Sequence, residues 1–181
     1  KGNIFDAPTQ AIVNTVNTEG VMGKGLALQF KERYPDNYKA YRKACKENKI
    51  VVGKMFLTSY NTLEENKIIV NFPTKTTWRK PSEYAYIIDG LKDLKEQIVK
   101  YRIKSIAIPP LGTHNGGLRW DKVKQIIENS MIDVDCDIHI YVPTAEIEEK
   151  LKAERVKLTP ARAMMLDVLC DMVHYGEFVS V

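Results

Sequence analysis

The sequence predicts an α/β domain built as three layers, α/β/α, around a mixed central sheet. Three observations carry that expectation. Short β-branched runs alternate along the chain with stretches of helical periodicity. One pair of runs is separated only by a short polar stretch, which makes it a hairpin and the sheet mixed. Two glycine-rich loops each follow directly on a strand, at the carboxyl ends where open α/β sheets bind their ligands.

The elements follow in order. Ala11–Asn17 is short and β-branched, a buried strand that runs into the loop Gly20-Val21-Met22-Gly23-Lys24-Gly25. Leu26, Ala27, Phe30 and Tyr34 fit one helix ended by Pro35, and Tyr38, Tyr41, Ala44 and Cys45 form the face of a second. Lys54–Tyr60 and Lys67–Phe72 read as strands joined through the polar stretch Asn61–Asn66. Ser82 is expected to cap a helix from Glu83 to about Tyr101, with Ile87, Leu91, Leu94 and Ile98 as its apolar stripe. Ser105–Ile108 is a short buried strand stopped by Pro109-Pro110. The loop Leu111–Leu118, with three glycines, opens onto a helix from Trp120 to about Ser130, and Asp137–Val142 is the last strand, closed by Pro143. This places one domain at 1–143, its first strand truncated, and a helical tail at 144–181 that opens a shortened C-terminal region.

Composition narrows the class. The chain has 181 residues, 44% hydrophobic and 28% charged, with 10 Gly and 8 Pro, a soluble globular profile in which roughly 70% of the unfolded surface can be buried. No apolar run approaches the ~20 residues of a membrane span, so no membrane partner is expected. The start, Lys1-Gly2-Asn3-Ile4-Phe5, lacks an initiator Met and an apolar signal stretch, and reads as a trimmed internal start. Cys45, Cys136 and Cys170 are far apart and outside any metal-ligand spacing, which points to a reducing cytoplasm and no structural zinc. His114, His139 and His174 form no metal motif, and neither a metal nor another cofactor is expected.

Net charge is +4, and its distribution is more informative than its size. Residues 1–50 carry nine Lys or Arg against five Asp or Glu, and Lys75, Arg79 and Lys80 stand in 71–80 without an acid. Residues 128–149 carry seven acids and no Lys or Arg. The two signs are expected on different faces, the first of them suited to a polyanion.

Gly-rich loops between strand and helix can turn backbone N–H groups toward an anion, reinforced by the helix N-terminus. Neither loop is a known nucleotide fingerprint. Gly20–Gly25 is not G-x-x-x-x-G-K-[ST], and Leu28 stands where a dinucleotide motif needs its third Gly or Ala. Two readings stand: a diphosphate cradle, or glycines that only make tight turns. Asn14 and Asn17, at the end of the first strand, either reach the loop mouth or bond neighbouring backbone.

Taken together, Val13-Asn14-Thr15-Val16-Asn17-Thr18, Gly20-Val21-Met22-Gly23-Lys24-Gly25-Leu26-Ala27, Asn71-Phe72-Pro73-Thr74-Lys75, Trp78-Arg79 and Ile108-Pro109-Pro110-Leu111-Gly112 with Asn115-Gly116-Gly117-Leu118 resemble the macrodomain of DarG. That family is the DNA ADP-ribosyl glycohydrolase antitoxin of the DarT/DarG toxin–antitoxin system. The resemblance covers about residues 2–143, and Leu158–Ala163 is similar to the start of the family's C-terminal region. It implies a macrodomain that removes ADP-ribose placed on thymidine bases of single-stranded DNA by the partner toxin DarT, with ADP-ribose as product. The family's essential lysine falls on Lys75 and its ribose-side asparagine on Asn17. The diphosphate would lie between Val21, Met22, Gly23, Lys24, Gly25 and the segment Gly112, Thr113, His114, Asn115, Gly116, Gly117, with Asn14 at the strand end. Adenine would sit near Asn3, Ile4 and Tyr141. Macrodomains often carry Asp in a Gly-Asp-Ile motif for the adenine amino group, where this chain has Gly2-Asn3-Ile4.

Glycosidases commonly use two carboxylates, but Glu19 is the only acid in either loop. Lys75, Asn17 and His114 are the remaining candidates. Lys75 acts either as an amine attacking the anomeric carbon through an imine or as a cation easing departure of the base, and the first route needs a lowered pKa, to which Arg79 and Lys80 could contribute. Asn17 is expected to orient ribose hydroxyls, and His114 to relay a proton or touch phosphate. Trp78, with Arg79 and Lys80, either grips a DNA strand by stacking and charge or is a core residue. Two other functions fit the same loops: a reader that binds ADP-ribose without cleavage, and an ADP-ribose 1''-phosphate phosphatase.

Overall fold

A computed structural model describes residues 2–63 and 65–142. The expected tail at 144–181 and the closing Pro143 lie outside the described residues. After a single 3-10 turn, Ile4–Asp6, the order is β1 (Ala11–Asn17), α1 (Gly25–Arg33), α2 (Pro35–Lys46), β2 (Phe56–Asn61), β3 (Asn66–Lys75), α3 (Tyr84–Tyr101), β4 (Ser105–Ile108), α4 (Trp120–Met131) and β5 (Asp137–Ile140).

The five strands form one sheet in the order β2-β3-β1-β4-β5. β1 pairs in parallel with β3 and β4, β4 with β5, and only the β2–β3 hairpin is antiparallel. The mixed sheet and both helical layers therefore match the expectation. Side chains alternate across it with period two. Ala11, Val13, Val70, Phe72, Ile106 and Ile108 face α3 and α4, where they meet Ile87, Leu91, Leu94, Ile98, Val123 and Ile127. Ile12, Ile69 and Ala107 face the other way, onto Phe5, Phe30 and Tyr34 beside α1, and Val16 meets Tyr41 and Ala44 of α2. Each large apolar side chain fully buried this way contributes about 1.5–3 kcal/mol.

β2 starts two residues later than expected, at Phe56, and three further departures from the sequence reading have a reason in packing. β3 runs three residues past Phe72 because β1 continues to pair with it, and Pro73 is tolerated there because it lies beyond the last β2 pairing, Phe56 with Asn71. β5 ends at Ile140 rather than Val142 because its partner β4 stops at Ile108, whose carbonyl takes a final bond from the Tyr141 N–H. Ser82 does not cap α3. Glu83 holds the N-cap position without a side-chain bond, and Ser82 is buried, its N–H donating to the Gly116 carbonyl at 2.9 Å.

Gly90 on α3 lies flat against the Phe72 ring, which a Cβ at that position would overlap. Gly90→Ala is expected to cost about 1–3 kcal/mol through overpacking. A thermal melt should fall by ~2–4 °C for each kcal/mol in a domain of this size.

Candidate functional site

The carboxyl ends of β1, β3 and β4 open into a cavity of about 790 Å³, within the range of small-molecule sites. Its lining includes Lys24, Lys75 and Arg79 and, among the described residues, no Asp or Glu. The acids Asp133 and Asp135 lie at the opposite, amino-terminal end of β5, paired with Lys95 and Lys104.

The wall from β1 is set by a register shift. Between Val16 and Asn17 the pairing with β3 skips a residue, so Val16 faces Pro73 while Asn17 faces Lys75. Such a bulge re-aims side chains. Here it makes the two residues singled out for chemistry direct neighbours across strands. The Lys75 amine spans the cleft to donate to the Asn115 carbonyl. Burial pushes it below the ordinary lysine value. Arg79 and Lys80 are not what lowers it.

Asn17 is 6% exposed and its side chain organises the first loop. Its Oδ1 accepts from the Glu19 and Val21 N–H groups at 3.0 and 3.2 Å, and its Nδ2 donates to the Val21 carbonyl at 2.6 Å. One amide hydrogen remains for a ligand. Below it, the fully buried Tyr41 donates its hydroxyl to the Asn17 carbonyl at 2.6 Å, and burial raises the Tyr41 pKa. Periodicity identified Tyr41 as core and gave no sign of this polar support.

The second loop has four of its carbonyls engaged. Leu118 donates to Gly112, Gly117 to Thr113, Ser82 to Gly116 and Lys75 to Asn115. A loop with its carbonyls engaged in this way offers donors to a ligand, the polarity an anion needs. The two loops meet where the Asn115 amide nitrogen lies 3.4 Å from the Cβ position of Gly25, itself at φ +57°. The Thr113 hydroxyl lies 3.2 Å from both the Pro110 carbonyl and the His114 Nδ1, which ties the His114 ring to the second loop.

At the adenine end expected from the sequence, Asn3, Ile4 and Tyr141 line the cavity. Asn3 Oδ1 already accepts from the Phe5 N–H at 3.2 Å, capping the 3-10 turn. At the far rim Trp78 is 48% exposed, which removes the core alternative, and the Arg79 guanidinium lies 4.8 Å from its ring centre. Glu19 accepts from the Trp78 N–H at 3.1 Å and ties this arm to the first loop.

Val21, Gly23, Lys24, Gly25, Gly112, Thr113, His114, Asn115 and Gly116 line the cavity as expected, whereas Asn14, Met22, Gly117 and Lys80 do not. Asn14 is fully buried, its amide donating to Asn71 Oδ1 at 3.1 Å, and Asn71 pairs in turn with Asn37 of α2. It faces the core because strand alternation points it toward α2, where Met22 covers it. Gly117 and Lys80 are exposed outside the lining. The sequence reading passed over Gln29 on α1, Thr15 on β1 and the pair Pro109-Pro110, all in the lining. The two prolines end β4 and lie within one of the motifs that carry the family resemblance, without a site role of their own in the sequence reading.

Comparison with known proteins agrees with this geometry. The profile of the family described as Macro domain matches residues 13–127. A curated protein of Thermus aquaticus named DNA ADP-ribosyl glycohydrolase is 46% identical over 174 residues, 92% of this chain and 47% of that protein. The chain thus spans about half the length of the curated relatives it matches. The solved macrodomain of Mycobacterium tuberculosis DarG is 49% identical, with a TM-score of 0.77 over 80% of this chain and 95% of that one. Thermosipho africanus DarTG, solved in complex with ADP-ribose, is 35% identical with a TM-score of 0.74, over 78% of this chain and 40% of that one. The chain belongs to the macro domain family and, within it, is similar to the DarG macrodomains.

Proposed function

We propose that this chain is a DNA ADP-ribosyl glycohydrolase that removes ADP-ribose from thymidine bases of single-stranded DNA, with Lys75 and Asn17 at the reacting sugar. The observation that carries the reading is the pairing of Asn17 with Lys75 in a cleft lined by cations and, among the described residues, by no acid. The name of the Thermus aquaticus relative supports the activity, and the DarTG complex supports ADP-ribose as ligand and a DarT-type toxin as partner.

Burial lowers the Lys75 pKa and so eases loss of its proton, which supports the amine route over the cationic one. In that route the Lys75 nitrogen bonds to the anomeric carbon as the bond from that carbon to the base nitrogen breaks. The electron pair leaves with the base, which takes up a proton. The sugar ring opens to an imine, water adds to it, and release of ADP-ribose regenerates the amine. Asn17 holds a ribose hydroxyl through its remaining amide hydrogen. His114, which lines the cavity, is proposed to relay a proton or touch phosphate.

A two-substrate test separates the readings. Single-stranded DNA carrying ADP-ribose on thymidine should lose it, while ADP-ribose 1''-phosphate should keep its phosphate. Loss of phosphate with intact modified DNA would support the phosphatase, and binding with no product from either would support the reader.

The exposed Trp78 with its stacked Arg79 is proposed as the grip on the DNA strand, with Lys80 beside it. Changing Trp78 and Arg79 to Ala is expected to weaken single-strand binding by about 1–3 kcal/mol for a lost base stack and to reduce the salt dependence by about one phosphate contact. Unchanged affinity at low salt would reject this role.

A further inference from the structure

Among the described residues, two buried side-chain atoms have no hydrogen-bond partner in the protein, Asn14 Oδ1 and Ser82 Oγ. Each sits behind one of the two glycine loops: Asn14 beneath Met22, and Ser82 behind Gly112 and Gly116. Buried hydroxyls are nearly always paired, so an orphan calls for an explanation. Ser82 supplies the stronger case because its surroundings are defined on every side. It is 5% exposed. Its N–H holds the Gly116 carbonyl, and its Oγ lies 3.0 Å from the Cβ position of Gly112 and closer still to that of Gly116. The hydroxyl is therefore against the backbone of both ends of the loop that faces the cavity, without a bond to either.

We propose that Ser82 is a positioning residue for the anion cradle: its hydroxyl, unpaired in the unliganded chain, bonds the backbone of the 112–116 loop when a diphosphate ligand draws that loop into its binding shape. Binding then gains a hydrogen bond that folding lacks, and the N-terminal end of α3 reports on the occupied site. The inference rests on the ADP-ribose reading of the cavity.

The test compares the parent chain with Ser82→Ala in thermal melts and in ADP-ribose titrations by calorimetry. Deleting an unpaired hydroxyl removes no bond from the free protein, so the unliganded variant should melt at or above the parent's temperature. Its ADP-ribose affinity should fall roughly tenfold, the size of one lost hydrogen bond, and the rise in melting temperature on adding ADP-ribose should shrink accordingly. A merely structural serine would give the reverse pattern. Equal ADP-ribose affinity in the two chains overturns the inference, as does a lower unliganded melting temperature, which would mean that the hydroxyl is already bonded. Failure of the parent itself to bind ADP-ribose overturns the reading of the cavity and this inference with it.

Discussion

Lys75→Ala is expected to slow release of ADP-ribose from DNA by on the order of 10²-fold or more, the range lost when a catalytic group is deleted, while affinity for free ADP-ribose stays within about threefold, because a group acting only in the transition state affects kcat and not binding. The wild-type pH profile gives the sign of the mechanism. The Lys75 pKa is lowered from its ordinary value by burial, and in the proposed amine route the neutral form attacks, so the rate should rise with pH toward that lowered pKa and level off above it. A lysine acting as a cation would show a rate that falls as pH passes the same point. Lys75→Arg keeps the charge and removes the nucleophile, and the amine route predicts that it is as inactive as the alanine variant. Borohydride added during turnover should fix the sugar to Lys75.

Gly116→Ala is the second large effect expected, on binding and folding together. A Cβ at Gly116 would overlap the Gly112 carbonyl and the Ser82 hydroxyl, so backbone must move. The cost should reach about 1–3 kcal/mol or more, read as a drop of several degrees in a thermal melt, with ADP-ribose affinity reduced at least tenfold as the cradle is displaced. Gly23→Ala is the informative contrast. Its Cβ would meet nothing nearer than Val21 at 3.7 Å, so stability should hold, and because Gly23 lines the cavity the added methyl is expected to weaken ADP-ribose binding alone. If both variants bind ADP-ribose as the parent does, the two loops do not form the cradle.

The layers and the hairpin were legible in the sequence because periodicity and turn residues are local, and the two glycine loops could be placed at the sheet's carboxyl edge from the same signals. Lys75 and Asn17 came from resemblance to a family. Their meeting depends on a bulge between two strands distant in sequence, and Pro73 had disguised the end of β3. Asn14 illustrates the opposite error. A polar residue at a strand's end faces either cleft or core, and the partners that hold it in the core, Asn71 and Met22, come from other elements. Ser82 read as a helix cap because capping is a local pattern, whereas its actual neighbours, Gly112 and Gly116, lie beyond β4. The roles of Tyr41 and Glu19 in fixing the first loop and the Trp78 arm are likewise tertiary and left no local sign.

The central claim is tested most directly by mass analysis of a short single-stranded DNA carrying ADP-ribose on thymidine, after incubation with the parent chain and with Lys75→Ala. The account predicts unmodified DNA and free ADP-ribose from the parent and intact modified DNA from the variant. Modified DNA left intact by the parent, or release that survives loss of Lys75, would contradict it.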